Sequence, residues 1–150
     1  MRPAVGEVDW NCRIVNSMDQ IVVRGDRQPA FFEAAAYGQI ELSPNGKFAV
    51  VERMNANLAR TDPNQRYDLW IVNFKDSTFA RWTLNRDNPR DPVWSPDSRR
   101  VAYRAGSGQN RELRQIAVGS IQELVLDRSQ QAKLPDDWID GGRSLLYHTD

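Results

Sequence analysis

Cysteine and histidine are nearly missing from this chain of 150 residues, and the chemistry they would build is missing with them. A single cysteine, Cys12, excludes an internal disulfide framework and a cysteine-based zinc cluster. A single histidine, His148, excludes multi-histidine metal sites and argues against a Ser-His-Asp triad. Net charge is absent too: 20 Lys and Arg balance 20 Asp and Glu. No overall field therefore draws the chain to nucleic acid or to a lipid surface. An apolar run of about 18 residues, the length of a membrane-crossing helix, does not occur. The opening MRPAVGEVDW holds no apolar stretch of signal-peptide length, so a cytoplasmic location is the expectation. Helix signals are scarce as well. The best candidate, Phe31 to Ala36, is too short to stand alone and is closed by Gly38. With 40% apolar and 27% charged residues, what remains has the balance of a globular domain.

Repeats fill that domain. The segments IELSPNGKFAVVE at 40–52, PVWSPDSRRVAYR at 92–104 and DDWIDGGRSLLYH at 136–148 align. Leu42, Trp94 and Trp138 share a column, at intervals of 52 and 44 residues. A second unit interleaves with the first: YDLWIVNFKDSTFARWTL at 67–84 and RELRQIAVGSIQELVLD at 111–127, with EVDWNCRIVNSMDQIVV at 7–23 as a looser copy. Each unit has the pattern of a β-hairpin. In the first, Ser-Pro-Asn-Gly or Ser-Pro-Asp-Ser supplies a tight turn before a short apolar strand. In the second, Leu69, Ile71 and Asn73 alternate with Trp70, Val72 and Phe74, the period of two that strands require. Four strands about every 44 residues predict an all-β fold of propeller blades, each of four antiparallel strands. The expected blade parts are about 7–39, 40–91, 92–135 and 136–150 of one domain.

At LSPNGKFAVV, WSPDSRRVAY and DGGRSLLY the chain resembles the TolB-like (WD40-like) β-propeller repeat. It is most similar to the repeats attached to some bacterial serine/threonine kinases, matched here by LSPNG, DLWI, PVWSPDS and LPDDWIDGGRSLLY in that order. The similarity covers 40–150 well and 7–39 loosely. Asn45, Ser98 and Ile139 depart from the Trp-Ser-Pro-Asp-Gly pattern, as does Asp140-Gly141-Gly142, which lacks the proline. No Gly-rich phosphate loop or His-Arg-Asp motif is present, so nothing of a kinase carries over.

The repeats also decide between chemical and architectural roles. Trp94 and Trp138 hold the same column of two first-type hairpins, where the third has Leu42, which marks them as wedges between blades rather than a ligand platform. Ser43, Ser95 and Asp97 are turn formers, and no Gly-x-Ser-x-Gly elbow surrounds any serine. Asp136, Asp137 and Asp140 lack the alternating spacing of a calcium loop. Cys12 is expected to be a small buried hydrophobe. No catalytic residue, metal or cofactor is assigned. The better functional signal is at the loop end, where 24–39, 53–66, 85–91, 104–111 and 127–136 gather with a summed charge of about +4. Arg53, Arg60, Arg66, Arg104 and Arg111 are the candidate binding residues, suited to carboxylate or phosphate.

These patterns predict a non-catalytic propeller module that binds a protein or acidic ligand through its loops. The alternatives are an accessory part of a propeller-bearing enzyme, a peptidase or a kinase sensor, and a purely structural unit. Three blades' worth of hairpins is an incomplete propeller, since closed ones usually hold about four to eight blades. With half a blade expected at each end, two chains joined head to tail would make a homodimer of six blades.

Overall fold

The computed structural model describes the backbone of residues 7–9, 12–16, 20–24 and 29–31, and both backbone and side chains of 37–55, 57, 61, 67–85 and 87–149. Strands β1 (Glu7–Asp9), β2 (Cys12–Asn16), β3 (Gln20–Arg24) and β4 (Pro29–Phe31) form one antiparallel sheet in chain order. A second sheet holds β5 (Tyr37–Leu42), β6 (Phe48–Met54), β7 (Tyr67–Asn73) and β8 (Thr78–Arg81). A third holds β9 (Arg90–Trp94), β10 (Arg100–Ser107), β11 (Asn110–Ala117) and β12 (Glu123–Ser129). Only β13 (Lys133–Ile139) and β14 (Ser144–Thr149) pair in the last, joined by a 3-10 turn at Asp140–Gly142. This is the blade meander that the repeats predict. Among the described residues, no helix is long and apolar enough to cross a membrane.

Two expectations need correction. The N-terminal stretch is not a bare half-blade, because β1 and β4, three residues each, flank the β2–β3 hairpin through Glu7↔Arg13 and Val22↔Phe31. Phe31 ends a strand, and residues 32–36 lie outside the described set. The segments 104–111 and 127–136 are mostly strand, not loop. Ser107 pairs with Asn110, so β10 and β11 are joined by a two-residue turn that Gly108 enters at φ 61°.

The Ser-Pro turns explain themselves atom by atom. Ser95 Oγ donates to Asp97 Oδ1 at 2.6 Å and accepts the Arg100 N–H at 3.0 Å, which closes the bend into β10. Ser43 repeats both bonds with Asn45 and Phe48 at 2.8 and 3.0 Å. Ser98 occupies the glycine position of the repeat at φ 59°, and its Oγ accepts the Asn45 N–H of the preceding blade at 3.0 Å. The substitution that weakens the turn motif thus adds a bond between blades.

The hydrogen bond from Ser95 Oγ, aided by the Arg99 N–H, holds the Asp97 carboxyl below its ordinary 3.8. A depressed folded pKa stabilises above the unfolded value and is lost as pH falls through the folded one. The exposed turn is therefore expected to loosen below about pH 4. In Asp97→Asn, which copies Asn45, urea unfolding should show a shallower loss of stability on acidification. An unchanged acid limb would remove Asp97 from it.

Packing runs between blades. Val50, Leu69 and Trp82 of the second sheet bury against Trp94, Val101, Tyr103 and Ile116 of the third. Trp94 stacks on Phe48 with ring centroids 6.2 Å apart and meets Trp82 at 6.0 Å. Its indole N–H donates to the Glu41 carbonyl of β5 at 2.9 Å. Trp138 repeats this one blade on, donating to the Val93 carbonyl of β9 at 3.1 Å beneath the Arg100 guanidinium. The repeated tryptophans are wedges.

Candidate functional site

Strand direction sorts the chain into two ends. The tight turns at 43–47, 74–77, 95–99 and 118–122 share one; the connections 55–66, 82–89, 108–109 and 130–132 share the other. At the connection end the charged side chains form built networks. Glu52 closes the apolar run Phe48–Val51 and is fully buried. Its carboxylate accepts Arg90 Nε at 2.9 Å and the N–H groups of Gln39 and Asp91 at 3.1 and 2.7 Å. A Cβ on Gly38 would collide with that carboxylate, so a side chain there would have to displace it. Arg90 also lies 4.0 Å over the Tyr67 ring. Asp91, at φ 56°, pairs with Arg104.

A second network is centred on Arg114, which reaches Glu112 at 2.7 Å, Asp87 at 2.8 Å and Glu123 at 3.4 Å. Burial opposes its charge, but the bonds to Glu112 and Asp87 outweigh this and push its pKa up. The Tyr103 hydroxyl donates to Glu123 at 2.5 Å, and its pKa is raised first by burial and then by that bond.

The candidate arginines take distinct places. Arg53 lies with its guanidinium carbon 4.4 Å over Trp70 and 5.8 Å from the centre of Phe79. Arg104 holds on β10 the repeat position that Glu52 holds on β6 and is paired with Asp91, while Arg111 Nε donates to the Gly108 carbonyl at 2.9 Å. Arg60 and Arg66 lie outside the described residues. Arg53, Arg104 and Arg111 are thus placed at one end of adjacent blades, on strands. The Glu52–Arg90 bond and the Asp91–Arg104 pair escaped sequence reasoning, although a glutamate closing an apolar strand was a visible signal.

Two open clefts lie elsewhere. One of about 250 Å³ runs across the innermost strands β5, β9 and β13, where Glu41, Asp91 and Asp136 meet Pro135 and His148. His148 Nδ1 stands 2.8 Å from Asp136, and Asp140 pairs with Arg143, so these aspartates have protein partners. The other, about 830 Å³, opens at the turn end between Phe48, Arg99 and Val118. Neither is lined by Arg53, Arg104 or Arg111.

No family model matches the sequence, and no curated protein matches it in a sequence search. Solved structures do share the fold. The chain is similar to TolB from Acinetobacter baumannii, with a TM-score of 0.60 and 16% identity over 87% of this chain and 31% of that one. A prolyl endopeptidase gives a TM-score of 0.64 and 11% identity over 92% of this chain and 24% of the enzyme. The β-propeller domain of the Trilobed protease from Pyrococcus furiosus gives 0.53 and 14%, covering 87% and 44%. The chain spans less than half the length of each of these structures. Its blades are β-propeller blades of the kind found in TolB, and the sheets do not close into a ring.

Proposed function

We propose that this chain is a non-catalytic β-propeller module that binds an acidic protein or ligand through its connection end. The observation that carries this reading is Arg111, a planar donor fork oriented at the rim by the bond of its Nε to the Gly108 carbonyl. Arg53, on the preceding blade, is positioned over the Trp70 ring at the same end. Ordering such side chains before binding lowers the entropy lost on association. Ser43 and Ser95, the serines nearest to a hydrolase pattern, spend their hydroxyls on turns. The order of the repeat motifs also fits a sensor module of the kind attached to bacterial kinases.

Titration with a poly-glutamate peptide tests the reading. Arg53→Glu and Arg111→Glu are each expected to weaken binding about fivefold. Raising the ionic strength from about 0.01 M to about 0.15 M, which shortens the Debye length from about 30 Å to about 8 Å, should weaken it further. Binding that ignores both the reversals and the salt would remove this end from consideration.

A second reading, an accessory part of a propeller-bearing enzyme, draws on the likeness to peptidase structures. It requires an immunoblot of the source cells to reveal these residues inside a longer polypeptide.

A further inference from the structure

We propose that the half-blade β13–β14 is completed by the β2–β3 hairpin of a second copy of this chain, so that two copies close one six-bladed ring. This stands independently of the binding reading above.

Three observations point to it. Where the second and third sheets hold four strands, the last holds two, and β14 has no described neighbour beyond β13. The surface that a completing hairpin would cover is apolar and open. Trp82, the residue at the irregularity where β8 ends, is 3% exposed because the β11–β12 turn of the next blade covers it, the indole N–H donating to the Ser120 carbonyl at 2.9 Å. Leu126 holds the corresponding place on β12 and is 43% exposed, with Leu124 beside it at 48%. Among the described residues, no blade covers them.

The third observation names the occupant. Ile14-Val15-Asn16, Asp19 and Arg24 repeat, at identical spacing, Ile71-Val72-Asn73, Asp76 and Arg81 of the β7–β8 hairpin. The β2–β3 pair therefore carries the sequence of a third and fourth strand. Along β2 only the three-residue β1 occupies the edge where a long second strand belongs. In the ring, β14 takes that edge from β1.

Transferring the β6–β7 register to β14 and β2 sets Leu146 opposite Ile14, Tyr147 opposite Arg13 and His148 opposite Cys12. For β3 to be the outer strand of the shared blade, β4 gives up its edge as β1 does. Each copy then contributes β5–β8, β9–β12 and one shared blade. Within a single copy the same pairing would demand a ring of three, below the range of closed propellers.

The experiment uses the full chain and its one cysteine. Opposed residues on antiparallel strands stand about 4.5–5.5 Å apart, within the span of a disulfide. Light scattering of the unmodified protein at micromolar concentration should give twice the 17.2 kDa of one chain. His148→Cys, at an exposed site, should form a reducible dimer on oxidation, and Cys12→Ser/His148→Cys should run as a single chain on the same gel. A one-chain mass in solution overturns the proposal. So does a two-chain particle in which His148→Cys cross-links no more than the double variant, because the copies then meet through another surface.

Discussion

Replacing Trp94 by alanine is expected to lower the unfolding free energy by about 3–5 kcal/mol. The indole fills the seam between the second and third sheets, 6% exposed, against Phe48 and Trp82. Its removal leaves a cavity bounded by rigid strands and strips the Glu41 carbonyl of its donor. Trp94→Phe, which keeps most of the volume and loses the N–H, should retain the larger part of the stability. Urea midpoints of the three proteins measure both effects. An alanine variant as stable as the parent would mean that the seam is not packed on this residue.

Arg90→Ala is expected to cost about 3 kcal/mol, the second large effect. It leaves the buried Glu52 carboxylate with only the Gln39 and Asp91 amides, and it empties the face of Tyr67. Arg90 itself keeps 28% of its side-chain surface in water, which places the expected loss near the lower end for a broken buried pair. Glu52→Leu combined with Arg90→Leu removes both charges and should recover part of that loss, because no unpaired ion remains. Equal losses in the single and double variants would show that the pair contributes nothing beyond its packing.

Much of this architecture was legible because propeller blades repeat their turn chemistry. Ser43-Pro44 and Ser95-Pro96 mark the same bend, and the tryptophan column marks the same wedge, so alignment of the chain with itself located the hairpins. Less legible were features without local pattern. The short strands β1 and β4 contain no alternation, being three residues long, and are defined by their partners rather than by their own residues. The turn at Gly108 was hidden because polar residues around it resembled a loop, while the pairing that extends β10 and β11 involves backbone groups of every residue type.

The candidate site divides along the same line. That Arg53, Arg104 and Arg111 share one end followed from strand direction alone. That Arg104 meets Asp91, while Arg53 meets Trp70, depends on side chains 13 and 17 positions away along the chain, across strand pairs or within one sheet. Glu52 is the instructive case: its partners Gln39 and Arg90 flank it from two different sheets, 13 and 38 residues distant. No spacing rule connects them.

The wedging of successive blades is tested most directly by hydrogen exchange of the tryptophan indoles, read by nuclear magnetic resonance. Trp82, Trp94 and Trp138 donate to the carbonyls of Ser120, Glu41 and Val93 across the seams. Their indole protons should exchange slowly, with cross-relaxation to protons of the residues around those carbonyls in the neighbouring blade. Trp70, half-buried on the other face beside Arg53 and Phe79, should exchange faster. Rapid exchange at Trp82, Trp94 and Trp138, or cross-relaxation confined to each residue's own blade, would contradict the packing on which every other inference here depends.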